Sequence, residues 1–148
     1  MSTQTNQATV TEWFESWNER NWEKFTAFIS PDTEMLTVAT GENLTGHEGW
    51  RQVWQLWNTG FPGHRLTVTK MIASEEGVAV EAVFDGTHTG PFTTPSGDIP
   101  ATGKSVHIAF VGYCLLKNGQ VTTYHLYFDT LSVLVQLGIA PVPATAAA

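Results

Sequence analysis

The chain has 148 residues, 42% of them hydrophobic and 11% aromatic, which is enough apolar side chain for one buried core and too little length for a comfortable second domain. Its 7 basic and 14 acidic residues leave a net charge of −7, the wrong sign for neutralising phosphates, so no nucleic-acid partner is expected. No stretch is apolar over a bilayer's width, the polar start Met1 to Ala8 lacks the pattern of a secretory signal, and the single Cys114 cannot form an internal disulfide, so a cytoplasmic protein with no membrane partner is expected.

Thr9-Val10-Thr11-Glu12 matches a capping box, and Val10, Trp13, Phe14 and Trp17 follow at helical spacing, so an amphipathic helix is predicted to begin at Thr9. A short helix follows from Trp22 to Ile29, where Ser30-Pro31 cannot continue it. A strand is predicted near Glu34 to Val38 and a turn around Gly41. The segment His47 to Asn58 then carries Trp50, Val53, Trp54 and Trp57 on one helical stripe, and Thr59-Gly60-Phe61-Pro62-Gly63 ends it.

From here the period changes to two. Leu66 to Ala73, Val78 to His88, Lys104 to Leu116 and Val121 to Phe128 are rich in β-branched and aromatic residues and are separated by turn residues, with a longer loop from Gly90 to Gly103. A last helix is predicted from Thr130 to Leu137, with Asp129 as its N-cap and Gly138 as its stop. Helices first and an antiparallel meander afterwards predict an α+β fold with the helices on one sheet face. The organisation expected is a flexible N-terminus over 1–8, one folded domain over 9–138 and a Pro/Ala-rich tail over 139–148.

Strand alternation assigns the faces. Val78, Val80, Ala82, Phe84, Gly86 and His88 form the more apolar side of their strand. At Asn118-Gly119 a two-residue loop sets Tyr113 opposite Tyr124, whereas a three-residue loop with a bulge sets Gly112 there. The bulged pairing is preferred because it gathers Ile108, Phe110, Gly112, Cys114, Tyr124, Leu126 and Phe128 on one apolar face. His107, Tyr113, His125 and Tyr127 then share the opposite face, a mixture of aromatic and polar groups suited to a subunit interface.

Gly86-Thr87-His88-Thr89-Gly90-Pro91-Phe92, then Pro100-Ala101-Thr102-Gly103-Lys104, then Tyr127-Phe128-Asp129 and Gln136-Leu137-Gly138 resemble the SnoaL-like polyketide cyclase or ester cyclase family. That family lies in the superfamily named after nuclear transport factor two, with ketosteroid isomerase, scytalone dehydratase and limonene epoxide hydrolase. The resemblance implies a conical barrel of a curved, mostly antiparallel sheet with N-terminal helices enclosing a cavity, and a homodimer. It also implies a catalytic aspartate where this chain has Leu126, histidine and glutamine where it has Gly112 and Phe110, and asparagine near Met35. The Arg-x-Asp of the epoxide hydrolase is likewise replaced by Ala82-Val83-Phe84.

The residues left to carry chemistry are few. His88, on the inward face, supplies an imidazole able to move protons near neutral pH, and its plainer role is a hydrogen bond to the following loop. Tyr124 supplies a phenol that can donate to a carbonyl as charge builds on it, and its plainer role is packing. Trp17 and Trp54 from the helical stripes, with Met35, Thr37, Phe84, Ile108, Phe110, Leu126 and Phe128 from the sheet, are the expected substrate contacts. His47 and His64 are expected in loops, and none of the 5 histidines is paired at helical ligand spacing, so no metal and no cofactor are expected. The resulting expectation is a cofactor-independent cyclase, isomerase or lyase acting on a small hydrophobic, polyketide- or terpenoid-like molecule. The alternative is a non-catalytic binder of a hydrophobic ligand with the same fold.

Overall fold

The computed structural model describes residues 2–141. The chain opens with two helices, α1 (Thr3–Asn18) and α2 (Trp22–Ala27), then strands β1 (Ile29–Thr37) and β2 (Glu42–Thr45) and helix α3 (Gly46–Gly60). Strands β3 (Arg65–Ala73) and β4 (Gly77–Thr87) follow, then a small hairpin of β5 (Phe92–Thr94) and β6 (Gly97–Ile99). The long pair β7 (Ser105–Lys117) and β8 (Gln120–Phe128) and the helix α4 (Thr130–Gln136) complete it.

Six strands form one sheet in the order β2-β1-β8-β7-β4-β3. All neighbours are antiparallel except β1 and β8, which run parallel. The fold is the expected α+β arrangement of N-terminal helices on a curved sheet, but the sheet does not close into a barrel: β2 and β3 are its two free edges. Along β7 burial alternates strictly, with Val106, Ile108, Phe110, Gly112 and Cys114 inward, because successive side chains of a strand point to opposite faces. The inward face packs under α1, α2 and α3 into one core. The outward face leaves Val111, Tyr113 and Tyr127 exposed and pairs the rings of Tyr113 and His125 at 5.6 Å.

Several expectations are corrected in detail. Helix α1 starts at Thr3 rather than Thr9, because Ser2 caps it by accepting the Thr5 N–H at 3.1 Å and Asn6 is drawn into the core. The Asn6 amide donates to the carbonyls of Ser74 and Glu75, latching the first turn of α1 onto the β3–β4 hairpin. The segment 1–8 is therefore largely helix from Thr3 onward, and of the tail over 139–148 all but 139–141 lies outside the described residues. Strand β1 begins at Ile29 and runs through Pro31, which is tolerated because β2 pairs only from Glu34 onward. The Asn118-Gly119 turn is a two-residue loop with φ of 53° and 77°, joining Lys117 to Gln120, so the expected three-residue loop is wrong. The extra residue sits instead inside β8 at Thr122, between the pairs Leu116↔Val121 and Leu115↔Thr123, so Cys114 rather than Gly112 faces Tyr124. Both registers keep even-numbered residues together, so the inward face is the expected one.

The end of α1 prepares the site. Arg20 adopts the left-handed conformation at φ 57°, with its N–H on the Trp17 carbonyl and the Asn21 N–H on the Ser16 carbonyl. A residue with a Cβ resists this conformation. The guanidinium compensates by donating to the carbonyls of Trp17, Pro62 and His64, which straps the α3–β3 loop to the helix. Arg20→Ala is expected to lower unfolding free energy by about 1–3 kcal/mol in urea titrations, since three carbonyls lose a charged donor. Arg20→Gly should cost less than Arg20→Ala, because glycine relieves the backbone strain.

Candidate functional site

Between the sheet and the helices lies a cavity of about 80 Å³. Helix α1 supplies Trp13, Phe14 and Trp17, α2 supplies Phe25, and α3 supplies Trp50, Val53 and Trp57. The sheet supplies Met35 from β1, Leu66 from β3, Phe84 from β4, Ile108 and Phe110 from β7, and Tyr124, Leu126 and Phe128 from β8. No residue in this lining carries a charge, so a ligand there is held by apolar contact and by whatever single polar groups reach it.

Tyr124 carries the one hydroxyl in this lining. Its ring stands edge-on to Trp13 at 5.3 Å and beside Trp50 at 5.2 Å, which fixes its plane. No described residue accepts its hydroxyl proton or donates to it. Burial, with Cys114 beside it, pushes the phenol well above its ordinary pKa, so the hydroxyl keeps its proton and acts as a donor. The space it occupies exists because residue 112 is glycine: a Cβ there would stand 2.6 Å from the hydroxyl oxygen and 2.8 and 2.9 Å from ring carbons. Gly112 is thus the floor on which the phenol lies.

The expected contacts Trp17, Met35, Phe84, Ile108, Phe110, Leu126 and Phe128 all line the cavity beside Tyr124. Three expected site residues do not. Trp54 packs outside the lining, edge-on to Trp17 at 5.0 Å and to Trp22 at 5.1 Å. Thr37, paired with Leu126, turns its hydroxyl toward the Met35 sulfur at 3.7 Å. His88 follows the end of β4 and is fully buried, but Phe61, at a ring distance of 5.2 Å, packs over it and it takes no part in the lining. Its Nδ1 lies 3.0 Å from the Thr102 hydroxyl and accepts the Thr102 N–H at 3.2 Å, while its backbone N–H donates to Lys104 and its carbonyl accepts from Gly103. Burial lowers its pKa, which suits a neutral ring holding the loop 88–104 rather than a group trading protons with a cavity ligand.

Other lining residues were absent from the expected contacts although a signal pointed to them. Trp13 and Phe14 share the α1 stripe with Trp17, and Trp50, Val53 and Trp57 share the α3 stripe. His47, expected in a loop, lies instead in the first turn of α3, whereas His64 is in the expected loop but 2% exposed, with its Nε2 accepting the Trp17 indole N–H at 2.6 Å and its Nδ1 2.7 Å from the Phe61 carbonyl. Burial, outweighing the Phe61 contact, lowers its pKa to about 4. Among the described residues no group of three His, Cys, Asp or Glu side chains gathers where a metal could bind, and no helix is long and apolar enough to cross a membrane.

Compared with known proteins, residues 7–137 match the family model described as SnoaL-like polyketide cyclase. Among curated proteins none matches the sequence. A solved structure of a proposed SnoaL-like polyketide cyclase from Jannaschia sp. CCS1 superposes with a TM-score of 0.83 at 22% identity, over 94% of this chain and 95% of that one. AclR, a proposed hydroxylase from Streptomyces galilaeus, gives 0.83 at 22% identity over 97% and 91%. IdmH, a proposed polyketide cyclase from Streptomyces antibioticus, gives 0.77 at 25% identity over 90% and 98%.

Two outcomes follow from the geometry. Gly112→Ala is expected to destabilise the protein by about 1–3 kcal/mol through the collision with Tyr124, and most of that loss should vanish in a Tyr124→Leu background, as a double-mutant cycle in urea would measure. For His64 the folded pKa of about 4 lies below the ordinary 6.5, so the unfolded chain binds more protons between these values. Its contribution, about 3 kcal/mol at most, is fully present above pH 6.5 and is lost as pH falls toward 4. Urea titrations across that window should show the decline, and His64→Gln should remove it.

Proposed function

The chain belongs to the SnoaL-like polyketide cyclase family, and on that premise we propose that it is a cofactor-independent enzyme of the cyclase, isomerase or lyase kind whose substrate is a small hydrophobic or aromatic molecule held in the apolar cavity. The observation that carries this reading is a single proton-bearing hydroxyl, Tyr124, set without a protein partner in a lining otherwise made of hydrocarbon and aromatic surface. Such a hydroxyl donates to a carbonyl or hydroxyl oxygen of the substrate and strengthens its bond as negative charge gathers there. The surrounding rings keep water from competing for that oxygen.

Leu126, Gly112 and Phe110 offer no carboxylate, imidazole or amide to accept a proton. The reaction that fits is therefore one in which the substrate carries its own base, and the protein contributes confinement and the Tyr124 hydrogen bond. The same feature favours a second reading, a non-catalytic protein of this fold that sequesters a hydrophobic metabolite. The working unit in either case is a homodimer in the cytoplasm. The exposed Val111, Tyr113 and Tyr127 on the outer sheet face give a second copy an aromatic surface to cover, and the lone buried Cys114 suits a reducing compartment.

Native mass spectrometry of the protein purified with its endogenous ligand identifies the molecule to test. With that molecule, Tyr124→Phe is expected to slow turnover by about 10²-fold while affinity stays within about tenfold. Return of the molecule chemically unchanged by the wild-type protein would overturn the enzymatic reading and leave the binding one.

A further inference from the structure

His64 lies outside the cavity lining but touches two of its walls. Its Nε2 accepts the indole N–H of Trp17 at 2.6 Å, and its Nδ1 is 2.7 Å from the Phe61 carbonyl oxygen. An indole nitrogen only donates and a carbonyl only accepts, so one state satisfies both contacts: the neutral imidazole with its proton on Nδ1. The ring also lies nearly parallel on Phe84, with centroids 4.6 Å apart and planes at 19°. Trp17 and Phe84 both face the cavity.

The backbone leaves the imidazole little room to swing. The Arg20 guanidinium grips the carbonyls of Pro62 and His64, and the His64 N–H donates to the Phe61 carbonyl at 3.0 Å. Nor is Trp17 held as its neighbours are. Of the buried tryptophans in the lining, Trp13 and Trp50 have indole N–H groups with no acceptor, and packing alone orients them. Trp17 has an acceptor placed for it from a different element of the fold.

We propose that His64 is a positioning residue for the cavity: by accepting the Trp17 indole N–H while stacked on Phe84, it sets the separation of these two walls and hence the space open to a guest. This inference rests on the reading of the cavity as the ligand site. Protonation at Nε2 would set a donor against the indole donor and release Trp17. The groups facing the imidazole are Trp17 from α1, Arg20 from the turn that follows it, Phe61 from the α3–β3 loop, and Phe84 and Gly86 from β4. Arg20 alone among them is charged, and it disfavours the protonated ring.

The test uses the full chain labelled with ¹⁵N at tryptophan, with the Trp17 indole resonance assigned through Trp17→Phe, and xenon as an apolar guest small enough for the cavity. In the wild type the Trp17 N–H should resonate downfield of the other indoles, exchange slowly, and hold steady from pH 8 to 5 before shifting near pH 4. His64→Leu should move it to an ordinary indole position and change xenon affinity at least threefold. His64→Gln, which keeps an acceptor but cannot titrate, should restore most of that affinity and abolish the shift near pH 4. A Trp17 resonance unmoved by His64→Leu, or a xenon affinity within twofold of wild type in that variant, overturns the proposal. Should His64→Leu not fold, the glutamine variant decides, because an unchanged pH midpoint in it also overturns the proposal. A wild-type protein that takes up no xenon overturns the ligand-site reading instead, while the indole resonance still reports whether His64 holds Trp17.

Discussion

Rigid aromatic rings jammed against one another hold this molecule open. Trp13 meets Phe14, Trp50 and Tyr124 edge-on at 5.3 to 5.8 Å, and Trp17 meets Phe25 and Trp54 in the same way at 5.5 and 5.0 Å. Aliphatic chains can rotate into a hollow and fill it, but a ring braced by perpendicular neighbours cannot without displacing them all. The cavity under α1 and α3 is the volume these rings cannot reach. Its chemistry follows from the same constraint, because a wall of rings leaves polar contact to the one phenol and a few indole edges.

Apart from Phe128, which lines the cavity, the motifs that carry the family resemblance hold the frame together rather than reach it. His88 and Thr102 bind one another, and the His88 backbone exchanges hydrogen bonds with Gly103 and Lys104. The Gln136 side chain accepts the N–H of His107 and donates to its carbonyl, continuing the edge of β7 where its pairing with β8 has stopped at Phe110, and so pins α4 to the sheet. On the outer face Asp85 and His107 pair at 2.5 Å across β4 and β7. The family's frame is thus kept, while the inward positions Phe110, Gly112 and Leu126 supply only apolar surface and room for Tyr124.

Much of this could be read from residue types, for physical reasons. Two-residue alternation survives any even shift of register, so the inward set on β7 and β8 was correct although the pairing itself was two residues away. Helical stripes of tryptophan marked the covering faces of α1 and α3. What stayed hidden depended on contacts between distant segments. The start of α1 is secured by Asn6 reaching Ser74 as well as by the Ser2 cap, β2 hydrogen-bonds only with β1, and the β5–β6 hairpin inside the loop Gly90 to Gly103 is too short for periodicity to show. His88 had the right parity to point inward, but parity does not say that its ring packs on Phe61 outside the cavity lining. His64 carried no signal in its loop context, since its role is made by Trp17, 47 positions away.

The parallel pairing of β1 with β8 has a kinetic consequence. Met35 lies beside Tyr124 and Thr37 beside Leu126, so the cavity residue Met35 of β1 meets those of β8 only after a loop of about 90 residues has closed. The β3–β4 and β7–β8 hairpins join neighbours in sequence and can nucleate early, whereas this seam bears the largest loop-closure entropy in the sheet. The chamber is therefore completed late in folding, and a guest that fits only the finished chamber acts on refolding chiefly by slowing the reopening of that seam.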